Sequence, residues 1–188
     1  CVFRKSPDLG QFVRLFAMSE PVNPPPLSTG RCATLACLME VTAAKPGNVH
    51  RGADFEDVSF FEFAAGAAVI GPVFDEAATK SVGETILAAV RATAQMVATN
   101  TNLGTILLFG PLAKATGSAC LQRGVRQVLD SLTPEDAGYV YRAIREAAAG
   151  GLGRVPEADV AAEPPRDLVA AMRLAAQRDL VARQYANG

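Results

Sequence analysis

Apolar positions recur at three- and four-residue steps through most of the chain, the period of a helix with one face turned inward. Leu35, Leu38, Met39 and Thr42 fall at such steps and predict a helix over 31–43. Lys45-Pro46-Gly47-Asn48 ends it, because proline and glycine interrupt helical backbone. A polar loop from Lys45 to Glu56 precedes a second helix carrying Val58, Phe61, Phe63, Ala65 and Val69, which Gly71-Pro72 is expected to break. Residues 73–80 form a short connection.

The next helix is expected over 83–98, with Ile86, Val90, Ala94 and Val97 on its apolar face and Glu84, Arg91 and Gln95 on the wet one. Asn100-Thr101-Asn102 interrupts it, and Leu103 to Ala115 resumes as helix. Ser118 and Thr133 are candidate N-caps; Thr133-Pro134-Glu135-Asp136 has the cap, the N1 proline and the first-turn acids in the favoured order. The helix that Thr133 starts should reach Ala149. Gly150 to Pro165 is a glycine- and proline-rich connection, within which Gly150-Gly151-Leu152-Gly153-Arg154 reads as a flexible turn. One further helix is expected from about Pro165 through Tyr185.

The expectation is therefore an all-α, single-domain protein of seven or eight helices. Residues 1–29 read as a disordered or non-native extension, since Pro24-Pro25-Pro26 forbids helix and Met18 is a plausible natural start. Residues 30–188 read as the helical domain, incomplete at its C-terminal end.

Composition adds limits. The chain has 188 residues, no Trp and a formal net charge of −1, so no global basic field draws it to nucleic acid or anionic lipid. Its many alanines suit helices packed closely through small side chains. The four cysteines, Cys1, Cys32, Cys37 and Cys120, include no CxxC pair and accompany a single His, and are expected to be reduced, mostly buried thiols of a cytoplasmic protein. No apolar run approaches the ~18–20 residues of a membrane span.

Polar chemistry gathers where helices break. Around the first loop stand Glu40, Lys45, His50, Arg51, Asp54, Glu56 and Asp57, with Gly47 and Gly52 permitting close backbone approach. Lys45, Arg51 and His50 suit phosphate oxygens. Asp54, Glu56 and Asp57 suit Mg²⁺, which takes one or two carboxylates plus substrate phosphates. His50 could also serve as a general acid. At the second break, Asn100-Thr101-Asn102-Leu103-Gly104 supplies amides, hydroxyls and the start of a helix, a place for an anion. Each break also reads as an ordinary loop or capped turn. No Walker pattern, GxGxxG, GxSxG or HExxH occurs.

The ordered set is more specific than its parts. Glu40, Lys45-Pro46-Gly47-Asn48-Val49-His50, Gly52-Ala53-Asp54-Phe55-Glu56-Asp57 and Asn100-Thr101-Asn102-Leu103-Gly104 resemble the signature series of the triphosphoribosyl-dephospho-CoA synthase family. The segment Ala170 to Tyr185 also looks like a family segment, one that normally continues into further helices. The resemblance implies an all-helical, Mg²⁺-dependent transferase using ATP as substrate. The 2′-hydroxyl of dephospho-CoA attacks the ribose C1 of ATP, adenine leaves, and the product is the prosthetic-group precursor of the acyl carrier subunit of citrate lyase or malonate decarboxylase.

By position, the resemblance assigns Lys45 and Arg51 to the triphosphate, with Gly47 and His50 beside them. Asp54 and Asp57 become Mg²⁺ ligands or catalytic carboxylates, supported by Glu40. Asn100, Thr101, Asn102 and Gly104 orient ribose or phosphate. The sequence departs from the family pattern in having Gly52-Ala53-Asp54 where a Gly-Ala-His segment is usual. That places it near a divergent branch, for which an acceptor in tetrahydromethanopterin-linked one-carbon metabolism is the alternative. A non-catalytic helical interaction module is the alternative of another class.

Overall fold

A computed structural model describes residues 25–45, 49–52, 54, 58–99, 101–147 and 163–188. Eight helices stand in these segments, and no strand occurs among the described residues. They are α1 (Thr29–Thr42), α2 (Phe60–Asp75), α3 (Val82–Met96), α4 (Leu103–Lys114), α5 (Leu121–Asp130), α6 (Pro134–Glu146), α7 (Leu168–Ala175) and α8 (Leu180–Asn187). The all-α expectation holds. No helix of the described residues is long and apolar enough to cross a membrane.

Helix α1 lies along α2, α2 along α3, and α3 along both α4 and α6, while α5 and α8 cover α4. Ile70 and Phe74 of α2, Ile86 of α3, Ile106 of α4, Val140 of α6 and Leu168 of α7 are fully buried at the centre. Phe74 meets Phe109 of α4 edge-to-face, ring centroids 5.8 Å apart.

Small residues set how closely the helices approach. A β-carbon on Gly30 of α1 would lie 2.0 Å from the carbonyl oxygen of Gly71 in α2, so the two backbones touch with nothing between them. The Gly30 N–H then donates to Asp75 Oδ1 at 2.7 Å, and the Thr34 hydroxyl donates to the Ala67 carbonyl at 3.0 Å. Gly83 of α3 repeats the device against the backbone of Asp136 in α6, whose carboxylate accepts the Gly83 N–H at 2.8 Å. Burial alone would raise the Asp136 pKa; the N–H groups of Gly83 and Thr133 and the hydroxyls of Ser81 and Thr133 outweigh it and bring it below the usual carboxylate range.

Several boundaries differ from expectation. Helix α2 runs through Gly71-Pro72 instead of ending there, because the Gly30–Gly71 contact holds its last turn against α1. Val58 precedes that helix. Helix α4 likewise contains Pro111, which has no N–H to offer the carbonyl of Leu107 one turn earlier. The buried Tyr185 hydroxyl of α8 donates to that oxygen instead, at 2.7 Å. Burial, with a smaller contribution from Asp136, pushes the Tyr185 pKa up.

The helix expected from Pro165 through Tyr185 is two helices, each started by an aspartate: Asp167 accepts from the N–H of Ala170 and Asp179 from that of Ala182. Thr133 caps α6 as expected, with Asp136 completing a reciprocal capping box. Cys120, not Ser118, occupies the N-cap position of α5, and Ser118 instead packs against Gly124. Helix α6 ends at Glu146; residues 148–162, with the expected Gly150–Arg154 turn, lie outside the described residues, as do residues 1–24 with Met18. Of the described cysteines only Cys37 is buried, where desolvation first and Glu40 second raise its thiol to about 11; Cys32 and Cys120 are exposed, against expectation.

Candidate active site

Both polar breaks of the sequence make contact with the first two turns of α2. From the first break, Asp54 reaches it: Asp54 Oδ1 accepts from the Phe60 N–H at 2.7 Å and satisfies one of the donors a helix start leaves open. The loop before it is pinned by Val49, which is fully buried, while His50 beside it is half-buried. His50 Nδ1 accepts from the Gly52 N–H at 3.2 Å, so its side chain shapes the turn. Arg51 and Asp54 are exposed.

Glu40, near the end of α1, pairs with Lys45 just beyond it, and both side chains are half-exposed. Thus two residues expected at the site are in contact with each other. Gly47 and Asp57 lie outside the described residues, as does Asn100.

The second break arrives through Glu62, in the first turn of α2. Glu62 Oε2 accepts from the backbone N–H and the hydroxyl of Ser59 at 2.8 and 3.1 Å, and its Oε1 accepts from the Thr99 hydroxyl at 3.2 Å. The Ser59 N–H first, then the Ser59 hydroxyl, with Thr99 adding to them, hold the Glu62 pKa below its ordinary value. One turn further along α2, Gly66 faces the same segment. A β-carbon there would stand 2.5 Å from Asn102 Nδ2 and 2.9 Å from Thr101 Oγ1.

Those two atoms are chemically distinctive. Thr101 Oγ1 and Asn102 Nδ2 are buried without a hydrogen-bond partner. Asn102 is only 6% exposed, and although it occupies the N-cap position of α4 its side chain makes no capping bond. A buried polar atom left unpaired costs roughly 1–3 kcal/mol, and a native structure that keeps one calls for a reason, strain or function among them. Gly104, also expected at the site, is half-buried, its missing β-carbon 3.5 Å from Val181 of α8.

Asp54 meets the first turn of α2 and Thr101 and Asn102 its second, while Glu40 and Lys45 pair at the end of α1. It adds Glu62, Gly66 and Thr99, which the sequence reading passed over. Ser59-Phe60-Phe61-Glu62 carried a signal, being a capping-box pattern ahead of an apolar run. Gly66 within Ala65-Gly66-Ala67 carried another, since a glycine inside a helix often marks a close approach. Among the described residues, no three His, Cys, Asp or Glu side chains are grouped as a ready-made metal cage. Of the two carboxylates expected to hold Mg²⁺, Asp54 is exposed and Asp57 lies outside the described residues.

Arg91, expected simply to face solvent, instead donates through Nε and Nη2 to both oxygens of Glu146, at 2.7 and 2.9 Å, tying α3 to α6.

Neither a curated protein nor a solved structure matches the chain. The family model described as ATP:dephospho-CoA triphosphoribosyl transferase matches residues 26–188, covering every described helix and both polar breaks. The chain belongs to the ATP:dephospho-CoA triphosphoribosyl transferase family, enzymes that transfer the triphosphoribosyl group from ATP to dephospho-CoA.

Proposed function

We propose that the cluster at the start of α2 is the nucleotide site of this transferase. The observation that carries the reading is the pair of buried, unpartnered atoms, Thr101 Oγ1 and Asn102 Nδ2, on the turn that meets Gly66. A ribose hydroxyl or phosphate oxygen is the class of group that would complete them. Lys45 and Arg51 hold the triphosphate, with the backbone at Gly47 and the side chain of His50 beside it. Asn100, Thr101, Asn102 and Gly104 orient the ribose end.

Asp54 and Asp57 serve as Mg²⁺ ligands or as the carboxylates that face ribose C1, and Glu40 sets the position of Lys45. Mg²⁺ would supply charge neutralisation at the triphosphate, which stays intact through the reaction. At C1 the bond to adenine breaks as the 2′-oxygen of dephospho-CoA bonds to it. The sugar passes through a cation-like state that a nearby carboxylate stabilises. The hydroxyl proton goes to a base and adenine leaves with its bonding pair, assisted by an acid. The product is the precursor of an acyl carrier prosthetic group.

The test is the thermal midpoint with and without Mg-ATP, followed by an assay for free adenine with dephospho-CoA present. Binding to the native state alone stabilises by about 2.7 kcal/mol at a hundredfold excess over Kd. A raised midpoint with adenine release supports both site and reaction. A raised midpoint without adenine release when dephospho-CoA is offered points to a different acceptor. No shift removes the nucleotide reading.

A further inference from the structure

We infer that Glu62 and Thr99 are a positioning pair: their hydrogen bond sets the Thr101–Asn102 turn against the nucleotide loop, so that the orphaned donors face the sugar in working register. The inference rests on the nucleotide reading above and assigns neither residue a contact with substrate.

Three observations carry it. Glu62 divides its oxygens: Oε2 closes the capping box with Ser59, while Oε1 reaches across to Thr99 Oγ1. A capping box alone needs only the Ser59 side of this pattern. The same face of α2 meets the turn again at Gly66, where Thr101 and Asn102 crowd the missing β-carbon. Glu62 and Gly66 are thus two attachment points, one polar and one steric, for a single turn.

The third observation is what borders Thr99. Val97, Thr99 and Leu103 border a cavity of about 100 Å³ that also touches Thr93 and Ala147. Tight packing normally fixes a side chain's place, and a gap on one side forfeits part of that attraction. With open space beside Thr99, its bond to Glu62 carries more of the work of fixing its position. The same helix start holds Asp54 through the Phe60 N–H, so Glu62 ties the turn to the element that carries the first loop. A misplacement of about 1 Å at a reacting centre costs up to about a hundredfold in rate, which gives such a tie a catalytic consequence.

The experiment compares Thr99→Val, Thr99→Ser, Glu62→Gln and the double variant Glu62→Gln with Thr99→Val, each measured for thermal midpoint and for adenine release from Mg-ATP and dephospho-CoA. Thr99→Val leaves the Ser59–Glu62 box untouched and should keep the parent midpoint while kcat/KM for ATP falls roughly tenfold or more. Thr99→Ser, which keeps the hydroxyl, should return to within about threefold of the parent, and the double variant should lose no more than the worse single one, as two ends of one interaction do. If Thr99→Val does not fold, Thr99→Ala carries the same expectation, while Glu62→Gln, whose amide N–H can donate to the Thr99 hydroxyl as its oxygen accepts the Ser59 N–H, should stay near the parent. Activity of Thr99→Val within about twofold of the parent, no rescue by Ser, or additive losses would overturn the positioning role. A parent chain that neither binds Mg-ATP nor releases adenine overturns the nucleotide reading first and this inference with it, so the two failures are told apart by the parent alone.

Discussion

The amide nitrogen of Asn102 lies 2.5 Å from the point where a β-carbon on Gly66 would stand, so α2 meets the polar turn through the absence of a side chain. Gly66→Ala separates function from stability. Alanine favours helix over glycine by about 1 kcal/mol, which offsets part of the crowding. The midpoint should therefore move little, whereas the Asn102 amide must retreat and adenine release should fall at least roughly tenfold. Equal activity in variant and parent would mean that the amide does not meet the nucleotide.

Gly30→Ala should act in the opposite sense. Its β-carbon would fall 2.0 Å from the Gly71 carbonyl oxygen, backbone against backbone, with no flexible side chain to give way. Overpacking of this kind costs about 1–3 kcal/mol or more. A urea titration should show the midpoint lowered with the slope unchanged. An unchanged midpoint would mean that α1 and α2 slide apart freely.

Lys45 and Glu40 form a half-exposed pair, and exposed pairs contribute about 0–1 kcal/mol. Lys45→Met should leave the thermal midpoint near that of the parent while raising KM for Mg-ATP severalfold. A variant with the parent's KM would remove Lys45 from the triphosphate site.

Stability should fall at acid pH in a window set by Glu146. The hydrogen bond from Arg91 first, then that from Arg142, holds its carboxyl down at about 2, below the ordinary 4.5. Because the folded value is the lower one, the stabilisation is complete above the unfolded pKa and is lost as pH drops from about 4.5 toward 2. Asp136 adds in the same direction. Midpoints recorded across this range should decline less steeply in Glu146→Gln than in the parent. Parallel declines would show that the Arg91–Glu146 link between α3 and α6 does not control acid unfolding.

Tyr185→Phe tests the partnership with Pro111. Without the hydroxyl, the Leu107 carbonyl loses its buried donor, and the expected cost is about 1–3 kcal/mol in a denaturant titration. At alkaline pH the sign reverses relative to a carboxylate. The folded pKa of Tyr185 is raised, so stability present below pH 10.0, the phenol's ordinary pKa, is lost as pH climbs past it, and the variant should lack that step.

The helices were legible because their apolar positions repeat, and the Thr133 cap because its partners are adjacent in sequence. Local reading failed where a distant residue decided the outcome. Pro72 does not end α2 because Gly30 packs on its last turn, and Pro111 is tolerated because Tyr185 supplies the missing donor. Asp167 and Asp179 were in plain sight as caps but were absorbed into one continuous apolar period. At the site, the polar residues could be named from their clustering and from family resemblance. The approach of Thr101 and Asn102 to α2 could not be read, since it depends on Glu62 reaching Thr99 and on Gly66 admitting Asn102, relationships that span dozens of residues.

Asn102 stands at the head of α4 and withholds its side chain from the backbone it would ordinarily cap. An alanine there would remove the stranded amide, whose burial without a partner costs roughly 1–3 kcal/mol. A screen for thermostable variants should therefore select against this asparagine, while a screen for turnover should restore it. On the proposed reading the position is a point of conflict between durability and activity, and ranking substitutions by melting temperature alone would select against turnover.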